Sequence, residues 1–352
     1  MRQILPPKRI LLIRLKGIGD VILSTPLLRA LKKRFPSTEL HFLTRGFCSP
    51  VLKNNPQVDR LIVHPEKNAP LGEKIKFLTG LRDAHYDWVL DLAAEPRSAW
   101  LTLVTGAPLR AGYAFRLREF AFTHKIPKNK IRKYQGEINL DIIRYLGVPD
   151  DGNQTEIFLK DGEQRWAADA WAALKEKGKL KWKVGLNPTG TWESKRWPLD
   201  HWRRLAALIH DRWGIQPVLY GGLGDKEILE EVRWGIEEKV LLKPETDLLQ
   251  AAAFISGMDL LIGNDGTPQH IAQAFGVKSL TLCGPHWGIG WTKPNDFRHR
   301  YLQHFLDCGP CDLNVCPFPR IQGQALHVHQ ECLVKITSEK VLDVAGEILG
   351  IS

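Results

Sequence analysis

The segment RILLIRLKGIGD, residues 9–20, runs an apolar stretch straight into two glycines and an acid. Arg9 to Leu15 is short and apolar on both faces, the pattern of a strand buried inside a parallel sheet. Glycine after such a strand lets backbone approach a ligand at the carboxyl edge of the sheet. A phosphate cradle has no use for a carboxylate, yet Asp20 is what this turn delivers. The dinucleotide fingerprint G-x-G-x-x-G is incomplete, because Ile22 stands three residues after Gly19. Glu39, an acid near the spacing of a ribose contact, opens a strand instead of ending one, so a nicotinamide site is poorly supported. Asp20 keeps two readings that can coexist: a helix N-cap, or a carboxylate placed to accept a proton.

The same strand-then-helix alternation continues in both directions. ELHFLT (39–44), RLIVH (60–64) and WVLDLA (88–93) complete four strands in the first third, and Leu27, Leu28, Leu31 and Phe35 recur at helical spacing before Pro36. The pattern restarts with KVGLNP (183–188), IQPVLYGG (215–222), KVLLK (239–243), DLLIGND (259–265) and VKSLTLCG (277–284). Helical stretches lie between them at Trp202 to Arg212, Asp225 to Gly235 and Leu248 to Ser256. Such alternation specifies a doubly wound α/β sheet, and two series specify two of them. A chain of 352 residues accommodates both. We expect an N-terminal Rossmann-like domain over 1–165 and a C-terminal one over 180–352, the last helix being a candidate to pack back toward the first domain. The loop chemistry of YLGVPDDGNQTE (145–156) and the charged KEKGKLKW (175–182) bracket the boundary.

Lys plus Arg number 49 against 39 acids, a net charge of +10 that suits an anionic substrate, membrane face or nucleic acid. Arg9, Arg14 and Lys16 interrupt any signal-peptide core, and no uncharged run is long enough to span a bilayer. A cytoplasmic protein is expected, with six cysteines reduced or metal-bound.

The second series carries more chemistry. NPTGTWESKRWP (187–198) supplies Thr189, Thr191 and Lys195 in one loop flanked by Trp192 and Trp197. Hydroxyls, backbone amides and one mobile ammonium suit a diphosphate; a solvated loop over packed tryptophan is the plain alternative. GGLGD (221–225) is a second glycine turn ending in a carboxylate, Asp225, suited to ribose hydroxyls. In GNDGTPQHIAQAFG (263–276), Asp265, Gly266 and Thr267 precede Pro268 at the start of a helix, whose free N–H groups attract phosphate. His270 lies within the first turn or so of that helix.

Taken together, RILLIRLKGIGDVILSTPLLRALKKRFP (9–36), the 187–198 loop, GGLGD and DLLIGNDGTPQHIAQAFG (259–276) resemble the lipopolysaccharide heptosyltransferases of glycosyltransferase family nine. The resemblance implies the GT-B fold, two Rossmann-like domains facing across a cleft. It implies an ADP-heptose donor (ADP-L-glycero-D-manno-heptose) in the second domain and an inner-core lipopolysaccharide acceptor in the first. By position, Asp20 corresponds to the catalytic base of an inverting transfer and Lys195 to the diphosphate lysine. Thr189 and Thr191 correspond to the donor-loop hydroxyls, Asp265 to the acid near the donor sugar, and Gly266 and Thr267 to the phosphate-binding amides. Asp225 stands where the family often has Glu. Peripheral association with the inner membrane follows from the acceptor. No metal or other cofactor is implied, in keeping with the absence of an Asp-x-Asp pair in a donor loop. Another nucleotide-sugar transferase of the same fold, or a non-enzymatic basic membrane- or nucleic-acid-binding protein, are the competing readings.

Two features lie outside those motifs. From Leu109 to Lys133 eight basic residues, Arg110, Arg116 and Arg118 among them, meet one acid, Glu119. With Gly17 and Gly19 they are the candidate acceptor contacts; a solvated loop is the alternative. Cys308, Cys311, Cys316 and Cys332 follow the spacing C-x2-C-x4-C-x15-C, compatible with zinc, a disulfide or reduced thiols.

Overall fold

A computed structural model describes residues 6–93, 95–114, 116–127, 133–318 and 329–351, without the side chains of Arg116, Leu117, Pro244 and Glu245. The chain divides into two compact units after Phe158. The helix Asp161–Lys177 lies wholly in the second, where Trp171 stacks on Phe254 at 4.2 Å and donates its indole N–H to the Phe254 carbonyl.

The first unit is a six-stranded sheet of β1 (Arg9–Ile13), β2 (Glu39–Arg45), β3 (Arg60–His64), β4 (Trp88–Asp91), β5 (Leu109–Tyr113) and β6 (His124–Ile126), in the order β3-β2-β1-β4-β5-β6. Every neighbouring pair is parallel. Burial on both faces is why β1 reads as an unbroken apolar run: Ile10 to Ile13 are fully buried. The helix Thr25–Arg34 buries Leu27, Leu28 and Leu31, and stops at Phe35, whose successor Pro36 cannot continue the turn.

The second unit repeats the plan. Its strands are β7 (Val184–Asn187), β8 (Val218–Gly222), β9 (Leu241–Thr246), β10 (Leu260–Asn264), β11 (Lys278–Cys283) and β12 (His299–Gln303), in the order β12-β11-β10-β7-β8-β9. Read from the far edge this is again third, second, first, fourth, fifth, sixth. In both units the order therefore reverses between the first and fourth strands, the place where doubly wound sheets bind ligands. Trp197 and Trp202 are fully buried and meet edge to face at 5.0 Å. The last helix, Ser338–Leu349, buries Val341, Val344 and Ala345 in the second unit's core, beside the helix Leu199–Trp213.

Three strands escape the sequence reading. β5 and β6 fall inside the basic run, which reads by its charge as a candidate acceptor patch or a solvated loop, and β12 reads HRYLQ, polar at most positions. β6 and β12 are sheet edges and need no continuous apolar pattern.

Candidate active site

In the first unit, the chain leaving β1 turns through Gly17 into a short helix, Ile18–Ile22. Gly17 is its cap and Asp20 its third residue, which corrects the N-cap reading of Asp20. The Asp20 carboxylate reaches back to accept the Gly17 N–H at 3.2 Å. Its other oxygen pairs with Arg14, whose side chain is 3% exposed. Arg14 also donates to the Leu92 carbonyl, just past β4. One buried guanidinium thus spans the switch point between β1 and β4 and fixes the orientation of Asp20. Beneath it, buried Asp91 accepts from the Ala93 N–H at 2.9 Å and the Ser98 hydroxyl at 2.8 Å, holding the loop after β4.

In the second unit, Asn264 at the end of β10 clamps the 187–198 loop. Its amide donates to the carbonyls of Pro188 and Thr189 at 2.9 and 3.0 Å, and its oxygen accepts the Trp197 N–H at 3.0 Å. Arg196 donates to the Gly190 carbonyl at 2.7 Å. Thr189 is buried and Thr191 exposed. Lys195, expected to be mobile, is held instead. Its ammonium lies 2.8 Å from a carboxylate oxygen of buried Asp265 and 4.9 Å from the centre of the Trp192 ring. His286 stands 3.4 Å from the same Asp265 oxygen and packs edge-on against Trp192. Burial alone would raise the Asp265 pKa, but neighbouring His286 and the Lys195 charge outweigh it and hold the carboxyl well below the usual range. Asp265 is therefore ionised at every physiological pH.

Directly after Asp265 begins the helix Thr267–Phe275, capped by Gly266 with Pro268 in its first turn and ended by Gly276 at φ +69°. Its leading amides, which find no carbonyl within the helix, open beside the Lys195–Asp265 pair. His270 is buried one turn in, its ring 6.1 Å from that of Trp291. A lysine with two remaining donors, a helix start and two aromatic faces form a site able to grip an anion attached to a polar group.

The other expected residues are placed as follows. Asp225 caps the helix Lys226–Arg233 and accepts the Gly222 N–H at 2.9 Å. Arg110 donates to the Ala121 and Ala107 carbonyls at 2.8 and 2.6 Å, bracing its own sheet edge. Gly19 lies inside the short helix and Arg118 is half-buried. The Arg116 side chain, Lys128, Lys130 and Arg132 lie outside the described residues. All six cysteines are free thiols. Among the described residues, no group of three His, Cys, Asp or Glu is gathered at metal-ligand spacing, and no helix is long and apolar enough to cross a membrane.

Arg14, Asn264 and His286 were not singled out from sequence. Arg14 and Asn264 carry one signal, a polar side chain at the carboxyl end of an otherwise apolar strand. His286 had only its place three residues past β11.

Two Rossmann-like units, each with a polar cluster at its switch point, have the architecture of the GT-B class. The model of glycosyltransferase family 9 (heptosyltransferase) matches residues 75–321, and the chain belongs to that family. Lipopolysaccharide heptosyltransferase 2 of Escherichia coli K12 is 24% identical, with 97% of this chain and 98% of that protein covered. Lipopolysaccharide heptosyltransferase 3 of the same strain is 27% identical over 78% of this chain and 81% of its own length. The solved structure of E. coli ADP-heptose lps heptosyltransferase II superposes with a TM-score of 0.74 at 24% identity, covering 97% of this chain and 98% of that one.

Proposed function

We propose that this enzyme moves a heptose from ADP-heptose to the inner core of lipopolysaccharide, with inversion at the anomeric carbon. The observation that carries the donor half is the Lys195–Asp265–His286 cluster at the start of the helix Thr267–Phe275. Lys195 and the helix amides take the charge that gathers on departing ADP, and Asp265 fixes the lysine and lies toward the sugar. Thr189 and Thr191 add hydroxyl donors, and Asp225 lies at the turn read as the ribose contact. Asp20 takes the proton of the acceptor hydroxyl as it attacks. The basic run around Arg116 and Arg118, with Gly17 and Gly19, meets the anionic acceptor at the inner membrane face, where the enzyme binds peripherally. No metal takes part in this reading of the transfer.

Thermal-shift titration tests the donor assignment. ADP and ADP-heptose should raise the melting temperature, while UDP, NAD and RNA should leave it near its starting value. A response to UDP without ADP would reassign the donor, and a response to RNA alone would end the transferase reading. Assay against defined truncated core acceptors then identifies which heptose is added.

A further inference from the structure

His286 belongs to the donor cluster but has no task in the transfer as derived above. It follows β11 by three residues and is 8% exposed. Its Nδ1 lies 3.4 Å from the buried Asp265 carboxylate, and its Nε2 lies 3.8 Å from the carboxylate of Asp312. Asp312 is itself tied beside the ring, because its N–H donates to the Pro285 carbonyl at 2.9 Å. Trp192 meets the imidazole edge-on with centroids 4.9 Å apart, and Trp291 lies over it at 6.4 Å. Packing holds the ring. Neither Nδ1 nor the facing Asp265 oxygen has a hydrogen-bond partner of good geometry among the described residues. A buried pair left in that condition calls for a second state in which it is satisfied.

The loaded donor site is such a state. With nothing bound, the Lys195 ammonium balances the Asp265 carboxylate, which is ionised throughout the physiological range. A sugar nucleotide brings a doubly charged diphosphate to the same place. Lys195 and the amides at the start of the helix Thr267–Phe275 meet it. Positive charge then runs short beside a buried carboxylate. An imidazole gains a proton readily near neutral pH, and His286 has a carboxylate facing each ring nitrogen.

We propose that His286 is a positioning residue that balances charge in the donor site, taking up a proton as the diphosphate binds and pairing as imidazolium with Asp265 while Lys195 turns toward the phosphates. This rests on the ADP-heptose reading of the site. The proton comes from solvent and returns to it when the product leaves, and only an N–H bond is made and broken. Among the described residues, the charges facing the ring act in opposite directions: Asp265 and Asp312 favour the imidazolium, Lys195 and burial oppose it. An arriving diphosphate shifts that balance toward the charged form. By linkage, the donor then binds more tightly where protons are more available.

The test is calorimetry with ADP-heptose on the full chain, repeated at one pH in buffers of different ionisation enthalpy to count protons. ADP-heptose is the probe because its diphosphate carries no group that titrates near neutrality, unlike the terminal phosphate of ADP. Wild type should take up a fraction of one proton at about pH 7.5, and its affinity should rise severalfold between about pH 8 and about pH 6. His286→Gln stays polar and cannot charge. It should take up no proton and bind with an affinity nearly independent of pH, severalfold weaker than wild type at about pH 6. A ring that serves only as packing would leave the proton count unchanged in the variant, and that result overturns the proposal. Binding by wild type without proton uptake also overturns it, and needs no variant to fold. Uptake abolished by His270→Gln but kept in His286→Gln overturns it in favour of the neighbouring imidazole. Absence of ADP-heptose binding at every pH is a different failure, that of the donor reading itself.

Discussion

Two glycine turns in this chain end in aspartate, GIGD in the first unit and GGLGD in the second, and they share one backbone bond although Asp20 is the third residue of its helix and Asp225 the cap of its own. In each, the carboxylate turns back to accept the N–H of the glycine three residues earlier, Gly17 to Asp20 at 3.2 Å and Gly222 to Asp225 at 2.9 Å. What separates them is the strand each one follows and what stands behind it. Asp20 follows β1, at the switch point, and is paired with a guanidinium that is itself 3% exposed. Asp225 follows β8, one strand away from the switch point, and among the described residues no cation pairs with it. A turn-forming carboxylate needs only the backbone bond. A charged one held by a buried arginine has been given a fixed direction, at a desolvation cost that turn formation alone does not require.

The largest effect should come from breaking the first turn's chemistry while keeping its shape. Asn accepts the Gly17 N–H as well as Asp does, so Asp20→Asn should keep the shape of the turn, with a lower melting temperature because buried Arg14 loses its counter-ion. It cannot take a proton, and turnover should fall about 10²–10⁴-fold, the usual worth of a general base. ADP affinity, measured by calorimetry, should stay close to wild type, because the donor site belongs to the other unit. Near-normal turnover would reduce Asp20 to a turn residue and make the two aspartates equivalent.

Lys195→Ala should come next. A lost charge-assisted contact costs about 1.5–3 kcal/mol, so ADP should bind roughly tenfold to more than a hundredfold more weakly, with turnover falling alongside. Lys195→Arg should restore part of it, since a planar fork fills the place of a compact ammonium imperfectly. The alanine variant also strips Asp265 of one of its two partners. With its folded pKa below the unfolded value, wild-type Asp265 contributes stability above about pH 4 that is lost only as pH falls through the depressed pKa. Without Lys195 the burial effect gains weight and the folded pKa rises. Urea melts should then show a deficit of about 3–5 kcal/mol at pH 7, the cost of breaking a buried pair. The deficit should shrink as the pH is lowered toward 4. An unchanged dissociation constant for ADP would leave the donor site resting on the helix start alone.

What the sequence disclosed follows from what is local. The strand-turn units around β1, β7 and β10 are legible because continuous apolar runs, glycines and a proline at a helix start each act within a few residues. The partners that give those turns their chemistry are not local. His286 meets Asp265 because β10 and β11 lie side by side. Arg14 reaches Leu92 because β1 and β4 do. The mobility ascribed to Lys195 failed for the same reason: its counter-ion is on another strand's loop, 70 residues away. Strands β5, β6 and β12 were missed because their side chains are not continuously apolar, and only their neighbours in the sheet identify them.

The smallest effect is expected at the second turn, and it is the one that sharpens the comparison. Asp225→Asn preserves the bond to the Gly222 N–H, and Asn caps a helix as well as Asp. If Asp225 serves chiefly as the brace of its turn, the variant should melt within a degree or two of wild type, as expected for a ΔΔG of about ±0.5 kcal/mol. Its affinity for ADP should change less than about threefold, the equivalent of some 0.6 kcal/mol. A carboxylate that grips both ribose hydroxyls behaves otherwise. Charge-assisted bonds are roughly twice as strong as neutral ones, so their loss should weaken ADP about tenfold or more and leave inorganic pyrophosphate binding untouched. Measuring both ligands on the one variant separates the two outcomes. A selective loss of ADP affinity would place Asp225 in the donor site, and the contrast between the two turns would then be one of roles in catalysis rather than of chemistry against shape.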